Sequence, residues 1–188
     1  MLYRFGVAVL VTFALAAPAA AQDESALIQK RQQVREMARE ALASLYEIQP
    51  GARYVVEHAA GYAVFSTFGI KIFFAGGTTG NGLVVNHRTH RDTFMKMVKV
   101  QAGLGFGASK DRMIFVFETA NALRDFVNQG WDFGGGANVS AMVQQQGGTF
   151  TGAVSVFPGV YLYQLTDTGL AASITLSGTK FFKDSDLH

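Results

Sequence analysis

The chain has 188 residues, with 16 basic against 14 acidic side chains for a formal charge of +2, and it contains no cysteine. That balance excludes a function resting on bulk charge, so any electrostatic role must come from how the charges are distributed. The lack of cysteine excludes a disulfide framework, a thiolate metal site and a thioether lipid anchor.

In chain order, Arg4 precedes an apolar run from Phe5 to Ala17 and then Ala19-Ala20-Ala21, the pattern of a secretory signal with a small-residue cleavage site. Residues 1–21 are expected to be removed, leaving one domain over residues 22–188. The apolar run is short for a spanning helix, which makes a retained anchor the weaker alternative. An exported chain without disulfides points to a bacterial envelope compartment such as the periplasm, with the protein released or held peripherally at a membrane.

Asp23 to Gln49 reads as an amphipathic helix: Leu27, Val34, Ala38, Ala41, Leu45 and Ile48 recur at helical spacing, and Pro50-Gly51 stops it. Asp23 and Glu24 would complement its N-terminal dipole. Beside the apolar stripe, Lys30, Arg31, Arg35 and Arg39 form a basic row. Two readings of that row stand, a solvated face or a membrane-facing one drawn to anionic lipid. Ala52 to Ala60 forms a second short amphipathic segment.

From Gly61 to Gly107, β-branched and aromatic runs are punctuated by glycines. Tyr62 to Phe65, Phe68 to Phe74 and Leu83 to Val85 are expected strands, with Lys71 at an outward position. Gly76-Gly77 and Gly80-Asn81-Gly82 are expected turns. No Gly-Lys-Ser/Thr ending follows, so a phosphate-cradling loop is not indicated. The polar loop Asn86 to Asp92 carries Arg88 and Arg91, and Lys96 and Lys99 come soon after. His87 and His90 have no cysteine, no compact third ligand and no helical pattern beside them, so an exposed basic loop is preferred to a metal centre. Gly103 to Gly107 reads as a glycine-rich strand and Ala108 to Asp111 as a turn.

Met113 to Phe117 has the length of a buried strand. Thr119 to Gln129 reads as a helix stopped by Gly130. Ala137 to Val143 alternates, and Gln144 to Gly148 is a polar turn. Gly152 to Phe157 and Gly159 to Leu165 are strands around Pro158, and Thr166 to Gly169 links the second of them to Leu170–Leu176 as a hairpin. The Phe181-Phe182 pair, flanked by Lys180 and Lys183, is either an interfacial anchor or a core element.

Catalytic patterns are absent. No serine lies in a nucleophile elbow, and the carboxylates gather in the first helix and in turns rather than as a facing pair. No nucleic-acid motif accompanies the basic loops. No cofactor is expected.

The order of features resembles the SYLF domain family, also called the Ysc84 actin-binding domain family. The resemblance runs from about Leu42 to the C-terminus. It rests on Ala59-Ala60-Gly61-Tyr62-Ala63-Val64-Phe65, the Gly76-Gly77 and Gly80-Asn81-Gly82 pairs, and Gly103-Leu104-Gly105-Phe106-Gly107. It continues through Ile114-Phe115-Val116-Phe117, Ala122-Leu123-Arg124-Asp125-Phe126, Ala153-Val154-Ser155-Val156 and Gly169-Leu170-Ala171. The resemblance implies binding of anionic lipids, phosphoinositides in eukaryotic relatives, through an N-terminal helix and a basic surface; some relatives also bind actin filaments. Lys30, Arg31, Arg35 and Arg39 match the helix role by position, whereas Lys71, Arg88, Arg91, Lys96 and Lys99 are added from charge alone.

The resulting expectation is a single α+β domain. A curved, mainly antiparallel sheet or barrel-like core would be packed by the N-terminal helix and by a second helix in mid-chain. Its function would be non-catalytic binding of anionic phospholipid in the envelope, reinforced by insertion of Phe73, Phe74 or the Phe181-Phe182 pair unless those rings serve the core, which is the preferred reading of them. The alternative is a module that binds a protein partner, or assembles with itself, through its sheet.

Overall fold

The computed structural model describes residues 18–72, 75–102, 107–134, 151–171, 174 and 176–188, with side chains placed for residues 23–67, 77–100, 111–134 and the described residues after 150. Three helices, α1 (Pro18–Ile48), α2 (Gly51–His58) and α3 (Ala120–Gln129), pack on one antiparallel sheet. The strands are β1 (Gly61–Ile72), β2 (Ala75–Asn86), β3 (Arg91–Ala102), β4 (Gly107–Phe117), β5 (Trp131–Asp132), β6 (Val154–Phe157), β7 (Val160–Thr166), β8 (Gly169–Leu170) and β9 (Thr179–Lys183). Eight run in the order β5-β9-β3-β2-β1-β4-β7-β6, and β8 pairs with β7. The sheet curls into a half-barrel, which gives the expected single α+β domain.

The central part of the sheet is buried on both faces, and strand alternation sorts the side chains between them. Along β1 and β4, Val64, Ile114 and Val116 face α1 and α2. Ala63, Phe65, Met113, Phe115 and Phe117 face α3. Val34, Ala38, Ala41 and Leu45 of α1, spaced three or four apart, supply the stripe that covers the first face. Phe126 of α3 centres the second: its ring lies 4.6 Å from Trp131, 5.2 Å from Phe117 and 5.8 Å from Phe181. Such offset and edge-on contacts add to burial by matching ring edges to ring faces.

α3 starts and stops by local chemistry. The Thr119 hydroxyl accepts the Ala122 N–H at 3.2 Å. Gly130 takes φ 66° and donates to the Phe126 carbonyl at 3.0 Å. A Cβ at Gly130 would also collide with the Phe181 carbonyl, so glycine is required there twice over.

Several expected elements differ. Gly76-Gly77 and Gly80-Asn81-Gly82 are not turns but lie inside the continuous strand β2. Gly82 sits where a Cβ would overlap the Phe65 ring across the β1–β2 ladder, so the missing side chain makes room for an aromatic rather than for a bend. Ala108 to Asp111 likewise belongs to β4, paired residue by residue with β1. α1 includes Pro18 to Gln22 in the full chain, so Asp23 and Glu24 lie within the helix there and would come to its first turn on removal of residues 1–21. Phe73, Phe74 and the segments 103–106 and 135–150 lie outside the described residues.

Candidate functional site

An exposed group of predicted cations stands at the β2–β3 turn. Asn86 ends β2, and its Oδ1 accepts the backbone N–H groups of Arg88 at 3.0 Å and Thr89 at 3.1 Å. The His87 Nδ1 lies 2.9 Å from the Ala59 carbonyl, a bond it donates in the Nδ1-protonated tautomer. The His87 backbone N–H donates to Ala60 at 3.1 Å, and its ring meets Tyr62 edge-on at 5.4 Å. Burial first, and then the Asp92 carboxylate, push the Tyr62 phenol up in pKa. His90 adopts φ 52° to complete the reversal. The turn is thus pinned to the α2–β1 connection. Arg88, His90 and Arg91 are exposed, and neither arginine has an acidic partner among the described residues.

α2 brings an aromatic to the same end of the sheet. Tyr54 is 62% exposed and stacks on His58 at 3.9 Å, and His58 immediately precedes the Ala59 carbonyl that holds His87. Sequence reading passed over this pair. The signal available was an aromatic and a histidine four apart, off the Val55-Val56 stripe.

A second group of cations is engaged within the protein, Arg31 and Lys96 with the C-terminal segment and Arg35 with β3. The Arg31 Nε donates to the Leu187 carbonyl at 2.9 Å. The Arg35 Nε donates to Asp92 Oδ2 at 2.6 Å, and its guanidinium lies 5.1 Å from the Phe94 ring centroid. The Lys96 ammonium bridges Asp184 Oδ1 at 2.9 Å and Asp186 Oδ2 at 2.6 Å. The Asp184 backbone N–H donates to the Phe94 carbonyl at 3.0 Å. Those two carboxylates, Asp186 foremost, raise the pKa of Lys96, and Lys96 in turn lowers that of Asp186. Lys30 is exposed and adds its field at Asp186, and Arg39 pairs with Glu36 on the outer face of α1.

The remaining cations lie elsewhere. Lys99 is on the opposite face of β3 from Lys96; burial lowers its pKa, against the pull of the Asp111 carboxylate. Arg91 and Lys99 are eight positions apart along β3, about 26 Å of strand. The nine predicted cations therefore do not make one continuous patch. The Lys71 side chain lies outside the described ones. Phe181 is buried in the aromatic cluster. Phe182 borders a groove of about 390 Å³ with Ser66, Thr79, Asn81, Lys96 and Val98. Val100, two positions beyond Val98 on the same face, is 73% exposed.

Among the described residues, no three His, Cys, Asp or Glu side chains converge for a metal ion, and no helix is long and apolar enough to cross a membrane. No family model matches the chain. The chain is similar to Beta cell expansion factor A of Aeromonas veronii, with 29% identity over 154 residues, which cover 82% of this chain and 57% of that protein. It thus spans less than two thirds of that relative's length.

Proposed function

We propose that this chain is a non-catalytic lipid-binding protein of the bacterial envelope, a SYLF-type domain that docks on anionic headgroups through the β2–β3 turn. The carrying observation is that turn: three side-chain hydrogen bonds fix its backbone, and Arg88 and Arg91 stand exposed on it without carboxylate partners among the described residues. A pre-formed turn loses little conformational freedom on binding, and guanidinium groups match phosphate geometry. Tyr54 offers an amphipathic ring suited to the headgroup layer. The similarity to an Aeromonas veronii protein over most of the chain supports the bacterial assignment.

Each cation near an anionic surface contributes about 1 kcal/mol. Replacing both Arg88 and Arg91 by Ala is therefore expected to weaken binding to phosphatidylglycerol-containing vesicles roughly 30-fold. Co-sedimentation at rising salt measures it. Equal binding to phosphatidylcholine vesicles, or no dependence on the two arginines, would overturn the proposal.

A second reading is an interaction module. It is favoured by the exposed Val98 and Val100 beside the Phe182 groove, an apolar strip on a sheet face. Sedimentation velocity showing concentration-dependent assembly, with no vesicle binding, would support it.

A further inference from the structure

We infer that a second binding site lies where the last turn of α1 meets the β7–β8 hairpin, and that it takes a small zwitterion whose ammonium and oxyanion are a few atoms apart. A cleft of about 380 Å³ opens there, lined by Ser44, Glu47 and Ile48 of α1, Arg112 of β4, Leu165 of β7 and Asp167 of the β7–β8 turn. Arg112 sits opposite Leu165 in the β4–β7 register. It is half-buried, and it has neither a hydrogen bond nor an ion pair from its side chain among the described residues. A partly desolvated guanidinium without a counterion is a ready fork for a carboxylate or phosphate.

The other charged groups lining the cleft, Glu47 and Asp167, have the opposite sign. Glu47 is in the last turn of α1, which carries no basic residue. The helix dipole is negative there, so a carboxylate at that position works against the helix and adds to a field that attracts cations. Arg53, the cation nearest in sequence, is stacked over Tyr46 at 4.5 Å and paired with Glu57. Asp167 belongs to the two-residue turn between β7 and β8. The Thr166 hydroxyl holds that turn, donating to the Gly169 carbonyl at 3.0 Å and accepting the Thr168 N–H at 3.3 Å.

One guanidinium against two carboxylates repels a free phosphate, and a lone ammonium leaves Arg112 unanswered. A ligand bearing both charges answers both kinds of lining group. Phosphoethanolamine has this chemistry, either as a soluble molecule or as the headgroup of phosphatidylethanolamine. The site lies away from the β2–β3 turn, so it stands or falls independently of Arg88 and Arg91.

The test is calorimetric and amide-NMR titration of the full chain with O-phosphoethanolamine, inorganic phosphate and choline chloride. Saturable binding of O-phosphoethanolamine alone is expected, with shifts at Arg112, Glu47 and Asp167. A charge-assisted hydrogen bond supports a loss of roughly ten- to a hundredfold in Arg112→Gln and in Glu47→Gln, while the Arg88→Ala/Arg91→Ala variant binds as the parent does. Glu47 is exposed, so Glu47→Gln keeps the test decisive if Arg112→Gln fails to fold. Competition by phosphatidylethanolamine vesicles identifies a headgroup site, and its absence a site for the soluble compound; both outcomes support the inference. Equal competition by inorganic phosphate, no saturable binding of either form, or unchanged affinity in folded Glu47→Gln would overturn it.

Discussion

Gly82 and Gly77 lie in the same strand, yet substitution should affect them oppositely. A Cβ on Gly82 would overlap the Phe65 ring, and that ring is held by Phe181 at 4.9 Å and by Phe115 and Phe126 at 6.2 Å, so it has nowhere to turn. Overpacking of this kind costs about 1–3 kcal/mol. A Cβ on Gly77 meets nothing within 4 Å, and replacing a strand glycine lowers the entropy of the unfolded chain. Gly82→Ala should therefore lower the urea midpoint, while Gly77→Ala leaves it unchanged or raises it slightly. Equal shifts in the two would contradict the packing role assigned to Gly82. The difference also explains why the glycine pattern points to turns where the chain forms a strand. Sequence shows that a glycine is present but not what faces it, and Phe65 lies 17 positions away across a ladder whose register only the fold supplies.

Among the elements, the C-terminal segment depends most on charge. Lys96 of β3 answers the buried Asp184, whose second oxygen has no partner among the described residues, and Arg31 of α1 ties down Leu187. Lys96→Met keeps the apolar stem and strands a buried carboxylate, an expected loss of about 1–3 kcal/mol in chemical unfolding. The pH dependence has two limits. Asp186 has a folded pKa below its ordinary 3.8, so its contribution is present above that value and is lost as pH falls through the depressed one. Lys96 has a folded pKa above 10.5, so its contribution is complete below 10.5 and is lost as pH rises through the raised value. Protection of the Asp184 and Leu187 amides against hydrogen exchange should hold between those limits in the parent, whereas Lys96→Met, which has no ammonium to depress Asp186 or to titrate, should show weaker protection at neutral pH without those two limits. The helices were legible because Val34, Ala38, Ala41 and Leu45 announce a stripe, and Thr119 and Gly130 bracket α3. The clasp was not, because Lys96 and Asp184 are 88 positions apart and nothing local marks either as paired.

For the whole molecule, the decisive fact is that one sheet serves two cores. Phe65 and Val64 are neighbours in β1, yet the first packs under α3 and the second under α1 and α2. Neither layer can be stripped away without exposing strands that the other layer also needs, so unfolding should be a single cooperative event. Trp131, the chain's one tryptophan, reports from the α3 side, where it packs on Phe126. Leu45 is fully buried on the other side, against α1's face of the sheet. Leu45→Ala is expected to cost about 2–5 kcal/mol. The loss should appear in full in Trp131 fluorescence although the residue touches the opposite layer. Far-UV circular dichroism should give the same midpoint and the same slope with denaturant. A fluorescence transition that stays in place while the circular dichroism transition shifts would mean that the helical layer detaches by itself. The sheet's two faces would then be separable units, and the α1 basic row could leave the C-terminal clasp without unfolding the turn that carries Arg88 and Arg91.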